Sequence, residues 1–151
     1  MLHTRHKHHG EQVWPCIRRC AVLLLDKPIG SIAIHHVQYR RILAEVVRDF
    51  DIDAILVSSL IGHSLDVLET ELPTTVIAHD YTPFCAALSI RFDGVCTECG
   101  PDRLRACFAG NALNRFFRDA GADYWDAVRT RWAGLVRRPN LRMVAPSASV
   151  A

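Results

Sequence analysis

At 151 residues and 17.0 kDa the chain has room for one domain. Half of its residues are hydrophobic and 23% are charged, which is enough apolar surface to bury a core and excludes disorder on composition alone. The longest uninterrupted apolar stretch, Cys20 to Leu25, is six residues long, and crossing a bilayer as a helix takes roughly 20.

The formal net charge of +2 conceals an asymmetry. Residues 1 to 100 carry 9 basic and 12 acidic side chains, net −3, whereas residues 101 to 151 carry 9 arginines, no lysine and 4 aspartates, net +5. Guanidinium forks suit phosphate groups, and a solvated helix face is the blander account of the same tail. Stacking aromatics are not interleaved with these arginines at single-strand-binding intervals, so no nucleic-acid partner is expected.

Residues 1–15 are polar and rich in histidine, with His3, His6, His8 and His9 beside Arg5 and Lys7. They are expected to form a disordered arm that picks up divalent metal only adventitiously, and without an apolar segment behind them they do not form a secretory signal. The expected location is therefore cytoplasmic. The domain proper is taken as residues 16–151.

Ala21-Val22-Leu23-Leu24-Leu25 and Ser31-Ile32-Ala33-Ile34-His35 are candidate strands around the turn signal Lys27-Pro28-Ile29-Gly30. Tyr39, Ile42, Leu43, Val46, Val47 and Phe50 then recur with helical spacing, and Arg40, Arg41, Glu45, Arg48 and Asp49 occupy the other face. Ala54 to Ser58 is a continuous apolar run of the kind buried on both faces of a parallel sheet. A second helix is predicted from an N-cap at Ser64, with Asp66 and Glu69 in its early turns and Pro73 stopping it. Thr74 to Ala78 is the next strand, leading into His79-Asp80. A cysteine-rich loop follows, then helices at about 102–120, closed by Gly121, and about 123–137, and a last strand from Leu141 to Ala145. Strands alternating with helices predict an α/β fold, a Rossmann-like parallel sheet with flanking helices.

In an open parallel sheet, ligands bind outside the carboxyl ends of the strands. Three such ends carry polar residues: Ser58-Ser59-Leu60-Ile61-Gly62-His63, His79-Asp80-Tyr81 and Pro146-Ser147. A histidine at a strand end can move a proton or donate to a sugar hydroxyl or phosphate, with the adjacent aspartate orienting it, and a capped structural histidine gives the same pattern. Cys85, Cys96, Cys99 and Cys107 include one C-x2-C pair bracketed by Gly94 and Gly100. Three accounts remain open for them: a structural zinc site, free packing thiols, or disulfides or a cluster. Cys16 and Cys20, beside Trp14, stand apart from this group.

The run Leu56 to Asp66, then Leu72 to Cys85 with its His79-Asp80-Tyr81-Thr82-Pro83 step, then Cys96-Thr97-Glu98-Cys99, resembles bacterial nucleotide-sugar glycosyltransferases. More narrowly it resembles the amino-terminal domain of retaining family-four glycosyltransferases of GT-B architecture, over roughly residues 31 to 151. The resemblance implies two Rossmann-like domains facing a cleft, with acceptor contacts mainly on this one. It implies transfer of a sugar from a nucleoside-diphosphate sugar to a glycan or lipid-linked acceptor in polysaccharide biosynthesis. By the same resemblance His79 and Asp80 are the catalytic candidates, and Ser59, Gly62, His63, Tyr81 and Ser147 the substrate-binding ones. The family's glycine-rich loop is not found between Met1 and Ser31, and its donor-binding domain is not in this sequence. The expectation is thus a truncated enzyme, inactive alone for want of groups that stabilise the departing pyrophosphate. Its partners would be the missing donor-binding domain or a second copy, with peripheral contact to the inner membrane through the basic tail if the acceptor is lipid-linked. The alternative is a non-catalytic, metal-stabilised α/β binding module.

Overall fold

The computed structural model describes residues 22–82, 84–114, 117 and 119–146. Its elements in chain order are β1 (Ile32–Ala33), α1 (Val37–Asp49), β2 (Ile55–Val57), β3 (His63–Ser64), a 3-10 helix (Leu65–Glu69), β4 (Thr74–Ile77), α2 (Pro101–Gly110), α3 (Ala122–Leu135) and β5 (Leu141–Val144). Every pairing between these strands is parallel: β1 with β3, and separately β2-β4-β5 as one three-stranded sheet. Parallel neighbours need crossovers. The 3-10 helix lies between β2 and β4 in the chain, and α2 with α3 between β4 and β5. The fold is α/β, with small parallel sheets flanked by helices. Among the described residues no helix is long and apolar enough to cross a membrane.

The register sets the faces. Ile55, Thr74 and Leu141 align across the sheet, as do Val57, Val76 and Met143. Because side chains alternate along a strand, these two rows share one face. Val57, Val76 and Leu141 on that face join a core built from Leu65 and Leu68 of the 3-10 helix and Trp125, Val128, Trp132 and Leu135 of α3. The four α3 residues follow helical spacing, which is why that helix lays one stripe on the core. Phe117 packs against Trp125, the ring centroids 4.4 Å apart and the planes tilted by 42°.

The other sheet face, carrying Leu56, Thr75, Arg142, Ile77 and Val144, is open: Leu56 is 68% and Val144 47% exposed. Burial of residues 54–58 on both faces is therefore not what the fold does. The helices of the described chain that join the core do so from the Val57 side.

Other boundaries differ for local reasons. Val22 to Leu25 forms no strand, and Val22 and Leu24 are exposed. The strand expected over 31–35 keeps two residues, because His36 already caps α1 through Nδ1, which accepts from the Tyr39 amide at 3.1 Å. Ser64 does cap the next helix, but that helix is a single 3-10 stretch ending at Glu69. The helix expected to reach 120 stops at Gly110, where Asn111 turns the chain: its Oδ1 accepts from the Leu113 amide and its Nδ2 donates to the Arg91 carbonyl. Gly121, at φ +74, opens α3 instead of closing α2, a backbone setting that favours glycine.

Candidate functional site

The carboxyl ends of β2 and β4 lie side by side, since Val57 is in register with Val76. Ser58 and His79 follow those ends, and Ser58 Oγ lies 3.4 Å from His79 Nε2, a long contact between two exposed side chains. A shallow depression at this edge is lined by Ser58, Ser59, His79, Asp80, Thr82 and Trp132. Trp132 is buried, and its indole N–H has no acceptor among the described residues. Asp80 turns back on its own loop, its Oδ1 accepting from the Thr82 amide at 2.7 Å. Such a turn holds the chain direction just after His79 and keeps this carboxylate oxygen off the imidazole.

The remaining sequence candidates fall elsewhere. Gly62 takes φ +76 in the turn where the His63 amide donates to the Leu60 carbonyl, and its own amide donates to the Ser31 carbonyl at 2.6 Å. That turn leads into β3, so His63 meets the Tyr39 hydroxyl at 3.3 Å and not the His79 depression. Tyr81 lends its carbonyl to the Cys85 amide. Ser147, like Cys16, Cys20 and the His-rich arm, lies outside the described residues.

A second polar cluster had no sequence forecast. The Asp66 carboxylate is buried and accepts from the His36 amide at 2.7 Å and Ser64 Oγ at 2.6 Å, and meets His35 Nδ1 at 2.6 Å. Burial is the largest influence on Asp66 and pushes its pKa up, but the bonds from Ser64, His36 and His35 together outweigh it and hold the carboxyl below its usual range. Burial, and secondarily the Asp66 charge, raises the nearby Tyr39 phenol. This network ties the entry of α1 to the start of the 3-10 helix. Ser64 and Asp66, two residues apart at a helix start, were the visible signal, but His35 and His36 come from a different segment.

Among the described residues, most arginines of the tail are engaged. Arg105 pairs with Asp102 and Asp123, Arg129 with Asp126, Arg131 with Glu69 and Arg138 with Glu71. Arg103 lies over the Phe92 ring and donates to its carbonyl. These contacts favour the solvated-face account over a phosphate-binding face.

Cys85, Cys96, Cys99 and Cys107 are all free thiols. Among the described residues, no group of three or more His, Cys, Asp or Glu side chains is placed to hold a metal as it stands. No family model, curated protein or solved structure matches the chain.

Proposed function

We propose that this chain is the acceptor-side half of a GT-B-type glycosyltransferase cleft, serving transfer of a sugar from a nucleoside-diphosphate sugar to a hydroxyl of a glycan or lipid-linked acceptor. The observation that carries the reading is the juxtaposition of Ser58 and His79 at the carboxyl ends of two adjacent parallel strands, where such sheets bind ligands. The resemblance of the residues that form this edge supports it, as does the depression they line.

With Ser58 beside Nε2, the other imidazole nitrogen of His79 is the one to hydrogen-bond the transferred sugar or its leaving phosphate. Asp80 positions the loop through its turn with Thr82. Charge developing on the departing pyrophosphate calls for cationic or amide donors. The paired arginines of α2 and α3 do not supply them, so the reading assigns them to a facing surface, a donor-binding domain or a second copy. A lipid-linked acceptor would place the work at the cytoplasmic face of a membrane.

Amide chemical shifts of the full 151-residue chain, followed during titration with UDP-glucose, GDP-mannose and simple glycoside acceptors, test this. Shifts grouped at Ser58 to Leu60 and Ala78 to Thr82, and lost in His79→Ala, are expected. Shifts that group elsewhere, or none across the panel, would overturn it in favour of the binding-module reading.

A further inference from the structure

The carboxyl end of the smaller sheet carries an arrangement that the proposed chemistry does not use. β1 and β3 run parallel with Ala33 opposite Ser64, so His35 and Asp66, each two residues further on, leave the same end of that sheet. Their side chains meet there, His35 Nδ1 lying 2.6 Å from Asp66 Oδ1. The second carboxylate oxygen is held by the His36 amide and the Ser64 hydroxyl, and the Asp66 side chain is fully enclosed, so it is fixed against the ring. A carboxylate only accepts hydrogen bonds, which puts the proton of the neutral imidazole on Nδ1 and its lone pair on Nε2. The His35 side chain is 49% exposed, and among the described residues Nε2 has no hydrogen-bond partner.

The other described histidines lack this combination. His36 uses both ring nitrogens within the chain, Nδ1 on the Tyr39 amide and Nε2 on the Lys27 carbonyl, while His63 and His79 meet only the neutral hydroxyls of Tyr39 and Ser58. An imidazole backed by a buried carboxylate and open at Nε2 is a nucleophile whose ring charge, once a bond forms at Nε2, already faces an anion. His35 lines neither the depression at His79 nor the groove beside Cys96, so the ring is open to a group carried by another molecule. It also directly precedes His36, the N-cap of the 13-residue helix α1, whose first turn carries no acidic side chain. An anionic group attached at His35 therefore meets the positive end of that helix.

We propose that His35 is a phosphoryl-acceptor site, modified at Nε2 by a donor of the phosphoramidate class. The Nε2 lone pair attacks phosphorus and forms the new P–N bond. The P–N bond of the donor breaks, and its nitrogen leaves as the free amine with the protons it already carried. The ring is left as an imidazolium with its Nδ1 proton still on Asp66, so the protein neither gains nor loses a proton. The Asp66 carboxylate offsets the charge of the ring, and the start of α1 that of the phosphoryl group. The carboxylate thus holds the corner together, and the outer nitrogen of His35 is what the corner presents to solvent.

The test incubates the full chain with potassium phosphoramidate at neutral pH and follows it by phosphorus NMR and by mass spectrometry of its peptides. An acid-labile phosphoryl group on His35, as the Nε2 isomer, is expected. It should form about 10-fold or more faster than on His63 or His79, because an opposite charge in contact favours a forming cation by about one pK unit or more. In urea the three rates should become equal, and in folded Asp66→Asn the His35 rate should fall to that of His63. Equal labelling of the three histidines in the folded chain, labelling of His35 at Nδ1, a His35 preference that persists in urea, or an undiminished rate in folded Asp66→Asn would each overturn the proposal. The first comparison is made among histidines of one unmodified chain, so a variant that fails to fold does not decide the matter. None of these readouts involves a sugar nucleotide, so the inference stands or falls apart from the proposed activity.

Discussion

At the Asp66 corner a buried carboxylate has three close polar contacts, two at 2.6 Å and one at 2.7 Å, whereas at the His79 edge an exposed imidazole meets one hydroxyl at 3.4 Å. The first cluster spends its hydrogen-bonding capacity within the chain, on the entry of α1 and the start of the 3-10 helix. The second leaves capacity facing solvent at the strand ends. Polar groups that are buried must be satisfied to be tolerated, and so they hold structure. Groups with unspent donors at a sheet edge are the ones a ligand can use. The tighter cluster therefore belongs to the fold, and the looser one is the edge that the proposed chemistry would use.

The comparison breaks most readily at Asp66. Asp66→Ala strands the His36 amide and the Ser64 hydroxyl in the interior, and a loss of about 3 kcal/mol is expected from urea unfolding. A loss under about 1 kcal/mol would reduce the corner to the worth of a surface ion pair.

His79→Ala comes next and, on the proposed function, acts on activity alone. Its exposed ring should cost stability no more than about 0.5 kcal/mol. In an assembly with the donor side present, turnover should fall roughly 10²- to 10³-fold, the scale of losing one donor to developing charge. Unchanged turnover would remove His79 from the mechanism. A large stability loss would instead make it a structural cap.

Acid offers a finer reading of the same corner. The folded Asp66 carboxyl lies below its ordinary range, so the unfolded chain binds the proton more tightly. The contribution of Asp66 is then fully present above the usual carboxylate pKa, near 4, and is lost as pH falls through the lower folded value. Urea midpoints followed from neutral pH into this acid range should decline more steeply in the native chain than in Asp66→Asn. Parallel profiles would mean that other carboxylates control the acid limit.

How much of this could be read from the residues varies with the range of the interaction. The amphipathic period of α1, the apolar runs of β2 and β4 and the Ser64 cap are local, and each is found where its pattern lies. The end of α2 is not legible in the sequence because it depends on Asn111 reaching Arg91, which no spacing rule encodes. The strands β1 and β3, two residues each, are too short for periodicity to register. The place of His79 just beyond a strand is legible because the apolar run of β4 leads into it, whereas His63, expected beside it, is drawn to Tyr39 by the turn at Gly62. The Asp66 network was hidden because its partners come from the segment before α1.

The open face of the sheet yields the smallest expected effect and the sharpest contrast. Leu56 and Val57 are neighbours in β2, yet Leu56 is 68% exposed and Val57 6%. Burial of a valine stabilises by about 2 kcal/mol, so Val57→Ala should cost an amount of that order. Leu56→Ser removes a side chain already in water and should change stability by no more than about 0.5 kcal/mol. If the two variants prove equally damaging, the Leu56 face is covered in solution. A Tm that rises with protein concentration would then identify the cover as a second copy, because association stabilises by mass action, while a concentration-independent Tm would assign it to the chain's own residues.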